Sequence, residues 1–205
     1  MELVLATRNP HKTREFRELL GAAIELRDLS AFADVTMPEE TGGTFHENAI
    51  LKAVTISKGR DMQNRLIVAD DSGLEVDVLF GRPGIYSARY AGENATDAAN
   101  IEKLLSELRE RNIPFEKRDA RFRCVIALAQ NAKLACTFTG TVEGMIVDPP
   151  RGNSGFGYDS VFQPDGFDQT FGEMTGELKN KISHRAKAVT MLRDALADLE
   201  GQRGG

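Results

Sequence analysis

The sequence predicts an α/β protein built on a mixed sheet. Three observations carry that expectation. β-type runs alternate with helical periodicities through the first half, consecutive strand patterns follow from residue 118 to residue 148, and an amphipathic helix closes the chain. Early strands separated by helices and later strands that follow one another directly imply both parallel and antiparallel neighbours.

The elements follow in order. ELVLAT opens a first strand, and the polar stretch RNPHK leads into TREFRELLG, where Phe16, Leu19 and Leu20 fall at i, i+3 and i+4 and Gly21 stops the helix. MPEETGG is a loop of turn formers with two acids. Beyond it Thr44 and Glu47 have the spacing of a capping box, and Phe45, Ala49, Lys52, Ala53 and Ile56 recur at helical spacing. LIVADDSGLEVDVL predicts a strand, a tight turn at Ser72 and Gly73, and a second apolar segment; GRPGIYSARYAG predicts an irregular loop. Ile101, Leu104, Leu105 and Leu108 stripe a helix over 96–111. Two strands over 118–130 and 132–144, joined near Asn131, are followed by a short apolar MIVD and a Gly-rich loop over 148–160. A last helix over 183–200 rests on Ile182, Ala186, Val189, Leu192, Leu196 and Leu199, and the final GQRGG is expected to fray.

Composition narrows the class. Hydrophobic residues at 41% and charged residues at 28% of 205 exclude disordered, collagenous and coiled-coil chains, and the length suits one domain with a substantial core or two lobes sharing one. No apolar run reaches the roughly 20 residues of a membrane span, and MELVLATRNP lacks the layout of a signal peptide, so a cytoplasmic protein without a membrane partner is expected. Cys124 and Cys136 have no metal-ribbon or disulfide spacing and are read as buried, inert strand thiols. A net charge of −5 argues against a protein that coats polymeric nucleic acid, while leaving room for a small anionic substrate.

Four segments carry possible chemistry. Thr7, Arg8, Asn9, Pro10, His11 and Lys12 lie between a strand and a helix, where N–H groups, the helix dipole and a lysine suit phosphate; a plain turn would also use these letters. Glu39, Glu40, Asp70 and Asp71 offer the hard oxygens that Mg²⁺ prefers, whereas His11, His46 and His184 lack zinc-pair spacing. Strand alternation sends Asp70 and Asp71 to opposite faces, so only one should meet a metal. Phe156, Gly157, Tyr158 and Asp159 combine a flexible backbone with aromatics able to stack on a flat base or to fill core. Lys179, Lys181, His184 and Arg185 are expected around the N-terminus of the last helix, with Ser183 as its cap; the dipole disfavours cations there, and a bound polyanion would offset that cost.

Six segments in order resemble the inosine/xanthosine triphosphate pyrophosphatases, the non-standard purine triphosphate pyrophosphatase family. They are L-A-T-x-N-x-x-K at 5–12, E-E-T-G-x-T-F-x-E-N-A-x-x-K-A at 39–53, A-D-D-S-G-L-x-V-D at 69–77, P-G-I-Y-S-A-R-Y-A-G at 83–92, G-F-G-Y-D at 155–159 and K-N-x-I-S-H-R at 179–185. The resemblance implies an elongated mixed β-sheet with flanking helices, two lobes around a central substrate cleft, and one pyrophosphatase domain over 1–205. It implies Mg²⁺-dependent hydrolysis of ITP, dITP and XTP to monophosphate and pyrophosphate, and a homodimer. Carried over by position, residues 7–12 resemble the phosphate-binding loop, Glu39 and Asp71 the metal-associated acids, and Asp71 also the proton acceptor. Ser72 resembles a substrate contact, residues 156–159 the base-binding segment, and Lys179, His184 and Arg185 further nucleotide contacts. Arg8 departs from the Gly, and Ser160 from the Pro, that many members carry. On these residues Asp71 would deprotonate the water that attacks the α-phosphorus, and donors such as Arg185 or His184 would favour a 6-keto purine over adenine.

Overall fold

The computed structural model describes residues 1–203. Its strands are β1 (Glu2–Leu5), β2 (Glu25–Asp28), β3 (Leu66–Val76), β4 (Arg82–Pro83), β5 (Asp119–Gln130), β6 (Lys133–Ile146) and β7 (Phe162–Pro164). The α-helices are α1 (Pro10–Leu20), α2 (Phe45–Ser57), α3 (Asp97–Glu110), α4 (Gly176–Ile182) and α5 (His184–Arg203). The strands form one sheet in the order β2-β1-β3-β5-β6-β7, with β4 paired to β3. The sheet is mixed, as expected: β1 runs parallel to β2 and β3, while β3 with β4 and β6 with β7 are antiparallel.

Local chemistry sets the ends of these elements. Asn9 caps α1 by accepting from the N–H groups of His11 and Lys12, and Gly21 ends it at φ 76° and ψ 177°, a backbone conformation open to glycine. Thr44 caps α2 through the Glu47 N–H, and Glu47 reaches back to the Gly43 N–H, one residue earlier than a standard capping box. Asn131 and Ala132, both at positive φ, make the two-residue turn from β5 to β6.

Chain contacts divide the molecule into two compact units. The first takes Met1–Asp71, Cys124–Gly140 and the residues from Arg185 on; its core gathers Leu3, Leu5, Phe16, Val68, Ile126, Leu128, Val189 and Leu192. The second takes Ser72–Arg123 and Thr141–His184; its core gathers Leu74, Val76, Leu104, Leu105, Leu108, Phe122, Phe162 and Phe171. Each fully buried side chain of this size contributes about 1.5–3 kcal/mol. Among the described residues no helix is long and apolar enough to cross a membrane.

Several expectations are corrected. The turn at Ser72 and Gly73 does not form. β3 runs through both residues without a break, because nearly every position from Leu66 to Val76 is buried and packing overrides the turn preference of Ser-Gly. The closing helix, α5, begins at His184 as expected, but Ile182 of its expected stripe belongs to a separate short helix, α4, which ends at Ser183, extended at φ −66° and ψ 157°. Lys179 and Lys181 therefore occupy the last turn of α4, where the dipole favours cations, and the mismatch argued from sequence does not apply to them. β2 was not expected at all. Cys124 is buried but Cys136 only half-buried. The helix continues through Arg203, so 201–203 are helical; Gly204 and Gly205 of the expected frayed end lie outside the described residues.

Candidate active site

In the first unit the two adjacent aspartates of β3 are both buried, Asp70 4% and Asp71 6% exposed, and they hold different partners. Lys12 Nζ, from α1, donates to Asp70 Oδ1 at 2.5 Å. Arg185, at the start of α5, donates through Nε and Nη2 to Asp70 Oδ2 at 3.2 and 2.9 Å, and through Nη1 to Glu15. Lys52 Nζ, from α2, donates to Asp71 Oδ1 at 3.0 Å and to Glu40 Oε1 at 2.7 Å. Alternation along the strand thus gives α1 and α5 one carboxylate and α2 the other.

The two carboxylates are pushed in opposite directions. Burial raises the pKa of each, but at Asp70 the charges of Lys12, Arg185 and Lys52 together overcome it and hold the group far below the usual carboxylate range. At Asp71 burial prevails over Lys52, with Glu40 adding to it, and the pKa is raised. Lys52 is itself buried, which favours its neutral form, yet Asp71, Glu40 and Asp70 outweigh that and raise its pKa. Asp70 is therefore a fixed anion, while Asp71 is a carboxylate of enhanced basicity.

Asp71 also has the feature that points to a ligand. Its Oδ2 is buried and has no hydrogen-bond partner, although Oδ1 is well engaged. An acceptor in that state costs about 1–3 kcal/mol, and a hard cation or a water would satisfy it. Among the described residues no cluster of three or more His, Cys, Asp or Glu is placed to hold a metal. The single buried, unpartnered oxygen of Asp71 fits Mg²⁺, which is usually bound by one or two carboxylates and completes its shell with waters and phosphates. Glu39 is exposed, whereas its neighbour Glu40 is half-buried on Lys52.

The loop between β1 and α1 differs in detail from a bare helix-end cradle. Thr7 Oγ1 accepts the Asn9 N–H, Asn9 Oδ1 takes those of His11 and Lys12, and Arg8 Nη2 donates to the Val35 carbonyl at 2.8 Å. The first amides of α1 are thus satisfied within the loop, and side chains rather than amides are what it offers an anion.

In the second unit, the 156–159 segment is a built loop. Asp159 Oδ2 accepts the Phe156 N–H at 2.9 Å and Lys179 Nζ at 2.7 Å, and the Lys179 ammonium lies 5.3 Å from the centroid of the Phe156 ring. Tyr158 fills core and donates its hydroxyl to the Ser87 carbonyl at 2.9 Å. His184 is buried with its ring stacked on Phe122 at 4.7 Å. Ser72 is half-buried within β3.

Sequence reasoning placed Lys52 only in the stripe of α2, yet it is the residue that touches Asp71. The available signal was a lysine on the buried face of an amphipathic helix, where a long charged side chain needs a partner. Glu15 was missed for a simpler reason: nothing local distinguishes it from a solvated acid.

Comparison with known proteins places the chain. The model of the Ham1 family matches residues 3–195. The dITP/XTP pyrophosphatase of Bacillus subtilis (strain 168) is 48% identical over 93% of this chain and 94% of its own length. The dITP/XTP pyrophosphatase of Geobacillus kaustophilus (strain HTA426) is 46% identical over 99% and 98%. Among solved structures, a HAM1 protein from Coxiella burnetii superposes with a TM-score of 0.85 at 40% identity, covering 97% of this chain and 99% of that one. The Staphylococcus aureus Ham1 protein gives 0.83 at 42% identity over 98% and 100%. A match along nearly the whole chain, in sequence and in fold, means that this protein belongs to the Ham1 family.

Proposed function

We propose that the chain, as one catalytic domain over 1–205, is a nucleoside triphosphate pyrophosphohydrolase that converts ITP, dITP and XTP to their monophosphates and pyrophosphate. The names of its relatives support the substrate class. The observation that carries the chemistry is the buried, unpartnered Oδ2 of Asp71.

In this reading Asp71 accepts the proton of the water that attacks the α-phosphorus, and its raised pKa makes it a better acceptor. Lys52 holds Oδ1, fixing which oxygen faces the water. Asp71 and Glu39 would hold Mg²⁺, with Glu40 engaged by Lys52. Bound there, Mg²⁺ would supply charge neutralisation for the triphosphate. Thr7, Arg8, Asn9, Pro10, His11 and Lys12 receive the phosphates, chiefly through the cationic side chains, and Ser72 contacts the substrate. Phe156, Gly157, Tyr158 and Asp159 form the base segment, with Phe156 as the stacking surface and Lys179 beneath it. His184 completes the nucleotide contacts. Because each nitrogen of Arg185 already donates to a carboxylate, we assign the donor for the 6-keto group to His184 and give Arg185 the task of fixing Asp70. The enzyme is read as a cytoplasmic homodimer.

Incubation with ITP, XTP, GTP and ATP, with and without Mg²⁺, tests this reading. Monophosphate and pyrophosphate should form from ITP and XTP, at least about tenfold faster than from ATP, and chelation should stop the reaction. A diphosphate with orthophosphate as products, or undiminished turnover in excess chelator, would sink it.

A further inference from the structure

The segment G-E-N-A-T-D at 92–97 has no part in the reaction described so far, yet its last residue makes one contact that does not serve its own helix. Thr96 is the N-cap of α3, accepting the Ala99 N–H at 3.2 Å. Asp97 is therefore not needed as a cap, and its Oδ2 instead accepts the N–H of Gly157 at 2.6 Å, sixty positions away. Gly157 stands at φ 60° in an irregular loop, where no strand or helix provides a partner for its amide. A carboxylate acceptor at this distance makes a charge-assisted hydrogen bond, the stronger kind.

We propose that Asp97 is a positioning residue for the base-binding loop, acting through the Gly157 amide; the inference rests on the reading of 156–159 given above. Three consecutive loop residues are tied to three places in the second unit. Phe156 is held through Asp159 to Lys179 of α4, Gly157 to α3, and Tyr158 to the Ser87 carbonyl. The platform at α3 is firm. Leu104, Leu105 and Leu108 are buried in the core, and Asn100 holds the Ala91 N–H and the Ala88 carbonyl. Without Asp97 the glycine that follows Phe156 regains its backbone freedom, and the ring loses a fixed plane on which to receive a purine. Ordering the loop would then fall to each binding event, raising KM, while kcat, set at Asp71, stays in place.

The Asp97 side chain is exposed, so its removal opens no cavity. The test compares Asp97→Ala, Asp97→Asn, which keeps a carbonyl acceptor, and Thr96→Ala, which weakens the same helix end without touching Gly157. Amide hydrogen exchange over 154–160 and steady-state kinetics with ITP are read on the full chain. Asp97→Ala should speed exchange at Gly157 and raise KM by about five- to tenfold, as loss of one such hydrogen bond implies, with kcat within about twofold. Asp97→Asn should restore most of both, and Thr96→Ala should lower the melting temperature while moving neither. Unchanged exchange in Asp97→Ala overturns the contact. Faster exchange with an unmoved KM overturns the role in base binding while leaving ITP hydrolysis itself intact, and an equal KM rise in Thr96→Ala reduces the effect to helix stability.

Discussion

Asp71→Asn is expected to lower kcat for ITP by roughly 10²–10⁴-fold, the range for loss of a general base, while nucleotide binding in the presence of Mg²⁺ stays measurable. The substitution keeps the shape of the side chain and an oxygen for Lys52, and places an amide nitrogen where the buried, unpartnered Oδ2 now lies. An amide donates at that position and cannot take a proton from water. The change should therefore fall mainly on kcat, with a higher Mg²⁺ requirement because Asp71 is also a proposed ligand of the ion, while Lys12 and the base loop are untouched. A variant that turns over ITP at close to the normal rate would remove Asp71 from the reaction.

Arg185→Met should produce the largest loss of stability among the residues discussed. The guanidinium is 2% exposed and is held by Asp70 and Glu15. Removing one partner of a buried charge cluster typically costs about 3–5 kcal/mol, here lessened by the Lys12 ammonium that stays on Asp70, and in a protein of this size lowers the melting temperature by on the order of 10 °C. The pH dependence has a definite sign. The pKa of Asp70 is depressed in the folded state, so its contribution is fully present above the unfolded value of about 3.9 and is lost as pH falls through the lower folded value. Denaturant titrations should show the native protein and Arg185→Met well separated at pH 7 and converging below about pH 4. A gap of constant size across that range would mean that Arg185 stabilises by packing alone.

The division of labour between the two aspartates was legible in the sequence from strand parity, and so were the Asn9 loop, the Thr44 cap and the hairpin at Asn131. Their partners were not. Arg185 is 115 positions from Asp70 and Lys12 is 58, and no periodicity reports contacts of that range. The unbroken course of β3 was hidden because Ser72 and Gly73 are turn formers locally, and only burial on both faces keeps them extended. The boundary at Ser183 was legible, but α4 before it was not: Ile182 and Ala186 stand in helical register across Ser183, so Ile182 reads as part of the last helix although the backbone at Ser183 is extended. β2 escaped notice because a four-residue edge strand with one buried residue, Leu26, carries almost no pattern. Lys52 and Asp97 share a lesson. Each lies in an ordinary helix, and each acquires its role from a distant carboxylate or amide.

The central claim is that a water activated at Asp71 attacks the α-phosphorus. Hydrolysis of ITP in ¹⁸O-labelled water, with the products resolved by mass spectrometry, tests it most directly. The account predicts one labelled oxygen in the monophosphate and none in the pyrophosphate; label in pyrophosphate, or in orthophosphate, would contradict it.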